Sequence, residues 1–242
     1  MDSIILAGGF AKRMWPLTKD TPKQLLDVGG KPMLQHVIES LKKVKPSRII
    51  LSVNSVFASQ FQNFIDNYKG SMNLQLYIEP SSREEEKPGA LGALHLLFND
   101  LGITGPVFVA GGDNLSDFDL RQMLTVAKNT GKDVIGLYDV EDIELAKLYG
   151  IAHQDGDRII EFVEKPSNPP STLAATAYWY LSKSGISNFL DYIDSGGDRD
   201  AMGNFLAWGV KNTDIRSVSF RGNWYDIGSL ESYNEAQKWL SN

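Results

Sequence analysis

The run from Leu6 to Leu26, LAGGFAKRMWPLTKDTPKQLL, constrains this chain most: an apolar strand over 3–6 meets a glycine turn, then an arginine and a lysine ten residues apart. Gly8 and Gly9 can take positive φ and bring backbone N–H groups against an anion with no Cβ in the way. Arg13 adds a planar fork and Lys23 a compact point charge, which complement one another on a polyphosphate. Leu6, Ala7, Gly8, Gly9, Arg13 and Lys23 are therefore expected to form a polyphosphate site.

Periodicity predicts strands over 3–6, 48–53, 74–78, 107–110 and 133–137, alternating with helices over 33–44, 57–68, 90–98 and 120–128. That is the pattern of a largely parallel sheet covered on both faces. Shorter strands follow over 151–153, 159–163 and 174–181, then helices and a final strand-turn-helix that ends with a helix over 230–240. With 242 residues, 42% of them hydrophobic, and no linker-like stretch, one large α/β domain is expected.

A net charge of −6 argues against a general nucleic-acid surface, so an anion site must be local. Residues 8–31 suit this, with Lys12, Arg13, Lys19, Lys23 and Lys31 against Asp20 and Asp27. The absence of cysteine excludes disulfides, thiolate metal sites and cysteine nucleophiles, and is compatible with a reducing cytoplasm. No apolar run is long enough to span a bilayer, and the immediate entry into a strand leaves no room for a signal peptide. A cytoplasmic chain with neither membrane nor nucleic-acid partner is expected, and a homo-oligomer is left open.

Ligands of open α/β sheets lie beyond the carboxyl ends of strands. Gly111-Gly112-Asp113-Asn114 follows the strand over 107–110, and a carboxylate there is placed to hold Mg²⁺, which takes one or two carboxylates and completes its shell with water and phosphate oxygens. Taken alone, Asp113 could instead cap a helix starting near Phe118, and Ser229 is a better cap than Asp226 for the last helix. Glu164 and Lys165 alone could be a solvated pair. His36, His95 and His153 are isolated and carry no ligand spacing. Glu79-Pro80 ends the third strand and Pro88-Gly89 opens the next helix, with an acidic rim, SSREEEK, over 81–87.

The first loop resembles the signature of sugar-1-phosphate nucleotidyltransferases, G-G-x-G-T-R-x-x-P-L-T-x-x-x-P-K-x-L-L, departing from it at Ala11 and Lys12. Glu79-Pro80, Gly111 to Asn114, Tyr149-Gly150, Glu164-Lys165-Pro166 and Trp224-Tyr225-Asp226 follow in that family's order along nearly the whole chain. The resemblance implies a Rossmann-like three-layer α/β sandwich around a mostly parallel mixed sheet. Its nucleotide-binding half would cover about 1–110 and its sugar-phosphate half about 111–242.

The resemblance also implies residue roles. Asp113 and Asp226 would hold Mg²⁺; Arg13, Lys23 and Lys165 would be catalytic; Glu79, Pro80, Gly89 and Asp113 would line the nucleotide. Asn114, Gly150, Glu164, Lys165, Tyr178 and Trp224 would line the sugar phosphate. Thr176 replaces the glycine of the family's T-G-x-Y element, where the sugar pocket is expected. The implied reaction joins an NTP to a sugar 1-phosphate. Gly-Asp-Asn and the short chain, without a C-terminal β-helix, most resemble thymidylyltransferases, implying dTTP or UTP with glucose 1-phosphate. Guanylyl transfer to mannose 1-phosphate and a non-catalytic nucleotide-sensing relative are the alternatives. A dinucleotide-dependent oxidoreductase is set aside, because Gly-Gly-Phe-Ala replaces G-x-G-x-x-G and Asn54, not an acid, ends the second strand.

Overall fold

A computed structural model describes residues 1–241. The chain runs β1 (Asp2–Leu6), a short hairpin of β2 (Asp27–Val28) and β3 (Lys31–Pro32), α1 (Met33–Lys42), β4 (Ile49–Asn54), α2 (Ala58–Asp66) and β5 (Leu74–Glu79). It continues α3 (Gly89–Leu101), β6 (Val107–Gly111), β7 (Asn114–Ser116), α4 (Arg121–Thr130), β8 (Asp133–Asp139) and α5 (Ile143–Ala146). Then come β9 (Gly150–Asp155), β10 (Arg158–Glu164), β11 (Leu173–Leu181), α6 (Lys183–Asp194), α7 (Met202–Asn212), β12 (Ile215–Phe220), β13 (Trp224–Asp226) and α8 (Leu230–Ser241). The expected α/β class holds, with parallel and antiparallel strands both present.

Contacts divide the chain into two compact units, and the first takes Met1–Pro88, Ala110–Asp119 and the chain from Asn223. In it β1, β4 and β5 pair in parallel in the order β5-β4-β1. Every residue of β4 is buried, as the central strand of a covered parallel sheet must be. Met33, Leu34, Val37, Ile38 and Leu41 line one face of α1 and are buried, each large one contributing about 1.5–3 kcal/mol. The helix stops two residues short of the expected end, because Lys45 turns left-handed (φ 52) ahead of Pro46.

The second unit, Gly89–Val109 and Leu120–Gly222, has a mixed sheet in which β8 pairs in parallel with β12 and antiparallel with β11. β10 pairs antiparallel with both β9 and β12. Its helices meet through an aromatic cluster, with Phe189 packed edge-on against Phe98 and Phe205, both at 5.4 Å between centroids. Among the described residues no helix is long and apolar enough to cross a membrane.

One piece of the first unit departs from expectation. No helix starts near Phe118 for Asp113 to cap: α4 begins at Arg121, and Asp113 leads into β7. β7 pairs antiparallel with β13, Asn114 opposite Asp226. At three residues each, these strands are too short to show a period.

Candidate active site

The glycine loop is built by side chains that hold its carbonyls. Pairing with β4 continues one residue past β1, the Ala7 N–H donating to Ser52 O at 2.8 Å. Asn54, at the end of β4, donates Nδ2 to Gly8 O at 3.0 Å, and Thr18 donates its hydroxyl to Ala11 O at 2.8 Å. Ala11 sits at φ 49 where the family has glycine, so this alanine adopts the left-handed turn. With the Gly8 and Ala11 carbonyls held, the N–H groups of Gly8, Gly9, Phe10 and Ala11 donate to no acceptor among the described residues. Successive N–H groups of this kind form a concavity for an anion.

Glu79 lies directly against this loop. A Cβ on Gly8 would overlap the Glu79 carboxylate, which accepts from Ser52 Oγ at 2.9 Å. Burial pushes the Glu79 carboxyl above the usual range, with the Ser52 hydrogen bond opposing it. Pro80, next along, is exposed.

The two candidate metal ligands meet on the β7–β13 ribbon. Asn114 Nδ2 donates to Asp113 Oδ1 at 3.1 Å and to Asp226 Oδ1 at 3.3 Å, while its Oδ1 accepts from Trp224 Nε1 at 2.8 Å. The ribbon is tied to the end of β1 by Gly112 N–H donating to Leu6 O at 2.9 Å. Lys23 is buried, with Nζ donating to Asp113 Oδ2 at 2.7 Å and to Ile227 O at 2.6 Å. Burial works against the Asp113 charge, but Lys23 beside it prevails and holds its carboxyl below the usual range. Asp226 goes the other way: burial, and then the Asp113 charge, push it up to about 6 against the pull of Lys23 and Arg13. Arg13 is exposed, and its Nη2 lies 3.8 Å from the position a Gly228 Cβ would take.

These donors suit a hard divalent cation. Among the described residues no three His, Cys, Asp or Glu side chains form a metal-ligating group. A cation here would take two carboxylates from the protein and its remaining oxygens from substrate and water, as Mg²⁺ does. Asp113 already has a cation against it, the Lys23 ammonium.

Gly89, Gly150, Glu164, Lys165 and Tyr178 belong to the second unit. Gly150 faces Glu164 across β9 and β10, and a Cβ there would come within 2.6 Å of Glu164 Oε2. A Cβ on Gly203, in the first turn of α7, would overlap the same oxygen. Glu164 therefore lies in a cradle of two glycines beside a helix N-terminus, where the dipole favours an anion. The sequence does not single out Gly203, since a lone glycine in a helical stretch carries no signal of what packs against it. Lys165 is exposed and left-handed (φ 45), its N–H donating to Tyr149 O at 3.0 Å.

Tyr178 is fully buried in β11. The Thr176 hydroxyl points into its own sheet and donates to Gly136 O at 2.9 Å, filling space that a Cβ on Gly136 would need. Gly89 opens α3 at φ +76, and the N–H groups behind it are taken: Ala90 donates to Asp200 O, and Leu91 and Gly92 both donate to Arg199 O. A separate groove of about 910 Å³ between α1 and α2, lined by residues such as Gln35, Lys42, Phe64 and Tyr68, contains none of these site residues.

Known proteins resemble this chain in sequence and in fold. The chain is 32% identical over 237 residues to mannose-1-phosphate guanylyltransferase 1 of Arabidopsis thaliana, covering 96% of this chain and 63% of that protein. It is 30% identical over 238 residues to a mannose-1-phosphate guanyltransferase of Gibberella zeae, covering 96% and 62%. The chain thus spans about three fifths of the length of these curated relatives. Among solved structures, a Bacillus anthracis protein in complex with sucrose, described as a candidate glucose-1-phosphate thymidylyltransferase, superposes with a TM-score of 0.86 at 26% identity, covering 100% of this chain and 96% of that one. A UDP-glucose pyrophosphorylase bound to UDP-glucose shares the fold, with a TM-score of 0.84 at 21% identity over 98% and 97% of the two chains. The nucleotidyl transferase family profile matches residues 2–242, from the strand that delivers the glycine loop to the helix after Asp226, and the chain belongs to that family.

Proposed function

We propose that this chain joins an NTP to a sugar 1-phosphate, forming an NDP-sugar and pyrophosphate. The observation that carries this reading is the Asn114 bridge: one amide holds two carboxylates from distant parts of the chain side by side. In the reaction a sugar-phosphate oxygen forms a bond to the α-phosphorus, and the bond from that phosphorus to the β-phosphate bridging oxygen breaks. No general base is needed, because the acceptor is already an anion.

The N–H groups of the glycine loop and the Arg13 guanidinium hold the triphosphate and stabilise the departing pyrophosphate. Lys23 has three donors and uses two on Asp113 and Ile227, which leaves one for a phosphate oxygen while the buried ammonium orients Asp113. Lys165 neutralises the acceptor phosphate, and Glu164, whose Oε2 lies against Gly150 and Gly203, accepts from sugar hydroxyls. Asp113 and Asp226 would hold Mg²⁺, which would supply charge neutralisation at the α-phosphate.

The substrates have two readings. An ionised Glu79 that met the base would only accept hydrogen bonds, which suits the N3–H of thymine or uracil and the N1–H and N2–H₂ of guanine, and mildly disfavours cytosine. The thymidylyltransferase-like reading is dTTP or UTP with glucose 1-phosphate. The names of the curated relatives favour GTP with mannose 1-phosphate. The test is pyrophosphate release from purified protein with Mg²⁺, each NTP being paired with glucose 1-phosphate, mannose 1-phosphate or N-acetylglucosamine 1-phosphate. Release that requires both substrates supports the reaction and names the pair. Nucleotide binding without release from any pair would favour a non-catalytic, nucleotide-sensing role.

A further inference from the structure

One departure of this chain from its family's pattern, Lys12, touches the acidic rim over 81–87. Lys12 stands where the family has a small hydroxyl, and the acidic stretch over 81–87 follows Glu79-Pro80. Lys12 Nζ lies 2.9 Å from Glu84 Oε2 and 3.8 Å from Glu85 Oε1. Glu86 is occupied within its own turn, accepting from Ser82 N–H at 3.0 Å and Ser82 Oγ at 2.8 Å, so it orders the strap and leaves Glu84 and Glu85 to reach Lys12. The strap's base is tied down as well, since Ser55 donates both N–H and Oγ–H to Ser81 O at 3.1 and 2.7 Å.

Building on the nucleotide reading above, we propose that Lys12 is a triphosphate-positioning residue that changes partners, with Glu84 and Glu85 holding its ammonium until a polyphosphate displaces them. Lys12 adjoins Arg13 and follows directly on the four unpaired N–H groups of the glycine loop. Its side chain is half exposed and its four-carbon stem is flexible, so it swings from strap to phosphate with no backbone change. Exposed carboxylates hold a lysine weakly, and a polyphosphate gathers several charges in one place, so the exchange favours the ligand. The Glu84 hydrogen bond raises the Lys12 pKa, so the ammonium is charged while the strap holds it. Releasing Lys12 frees the strap, and nucleotide binding is thereby coupled to opening of the 81–87 rim.

The test uses inorganic tripolyphosphate, which is independent of the base, alongside dTTP and GTP, measured calorimetrically on the full chain. Lys12→Thr should weaken tripolyphosphate binding about tenfold, and Glu84→Gln/Glu85→Gln should tighten it several-fold. In the Lys12→Thr background the glutamine changes should have little further effect. That dependence separates partner exchange from a simple field effect, because removing two negative charges helps any anion whether or not Lys12 is present. Equal tightening in both backgrounds, or none in either, overturns the inference. Hydrogen exchange over 81–87 should rise when tripolyphosphate binds the wild type and start high in Lys12→Thr; a strap whose protection ignores both ligand and variant also overturns it. Failure of the wild type to bind tripolyphosphate or either NTP would sink the nucleotide reading along with it. Binding that is intact but indifferent to Lys12 would sink this inference alone.

Discussion

Trp224 Nε1 donates to Asn114 Oδ1 at 2.8 Å, and this fixes which way the Asn114 amide points. An indole nitrogen can only donate, so the amide oxygen must face it and the NH₂ must face the Asp113 and Asp226 carboxylates. Outer-shell partners of this kind typically change metal affinity or activity by about 10–100-fold when removed. Trp224→Phe, which removes the indole donor to the amide oxygen, should lower Mg²⁺-dependent turnover by about tenfold. Asn114→Asp, which sets a third carboxylate against two, should lower it by about a hundredfold. A pyrophosphate-release assay across Mg²⁺ concentrations measures both, and equal activity in Asn114→Asp would remove the amide bridge from the site.

Gly8 should tolerate no side chain. A Cβ there overlaps the buried Glu79 carboxylate, which is fixed by Ser52. Overpacking of this kind costs about 1–3 kcal/mol, so Gly8→Ala should lower the urea midpoint by a corresponding amount. Because the clash has one named partner, Glu79→Ala in the same chain should restore part of the loss, making the pair non-additive. Strictly additive losses would place the strain elsewhere.

Arg13 separates chemistry from stability. It is exposed, so its removal should leave the unfolding transition in place. Loss of one preorganised contact to a developing charge lowers turnover by about 10²–10³. Arg13→Ala should therefore fold as the wild type does and turn over more than a hundredfold more slowly. Near-normal rates would take Arg13 out of the reaction.

Much of this was legible beforehand because it repeats. Helix α1 shows its period, strands β4 and β8 show as short apolar runs, and the glycine loop declares itself by composition. What stayed hidden depends on single residues and distant pairings. Nothing in a lone Asn54 or Thr18 says that it will hold a loop carbonyl. Lys23 reads as an open phosphate ligand, yet folding delivers it to Asp113 and Ile227 from positions 90 and 204 residues away. The ribbon that aligns Asn114 with Asp226 has a register set by tertiary packing. Thr176 reads as a replaced glycine at the expected sugar pocket, and its hydroxyl closes on Gly136 within the sheet. Periodic signals survive without neighbours, and a polar side chain's partner does not.

Asp133 should give the second unit a pH signature of its own. Its carboxylate is buried, and Oδ1 accepts from Ser182 N–H at 2.8 Å and Ser182 Oγ at 2.7 Å at the start of α6. Burial raises its pKa, with the Ser182 hydrogen bonds opposing. The folded state therefore binds this proton more tightly than the unfolded chain, where an aspartate titrates near about 3.9. The contribution to stability is full below that value and is lost as pH rises through the raised folded pKa. Asp133→Asn keeps an acceptor for both Ser182 donors and cannot titrate. The variant should thus gain on the wild type as pH climbs from about 4 through that window, then run parallel to it above. Urea midpoints of both proteins measured across this range isolate the effect, since every other titrating group is common to them. Curves that run parallel throughout would mean that Asp133 ionises in the folded protein as readily as it does in the unfolded chain.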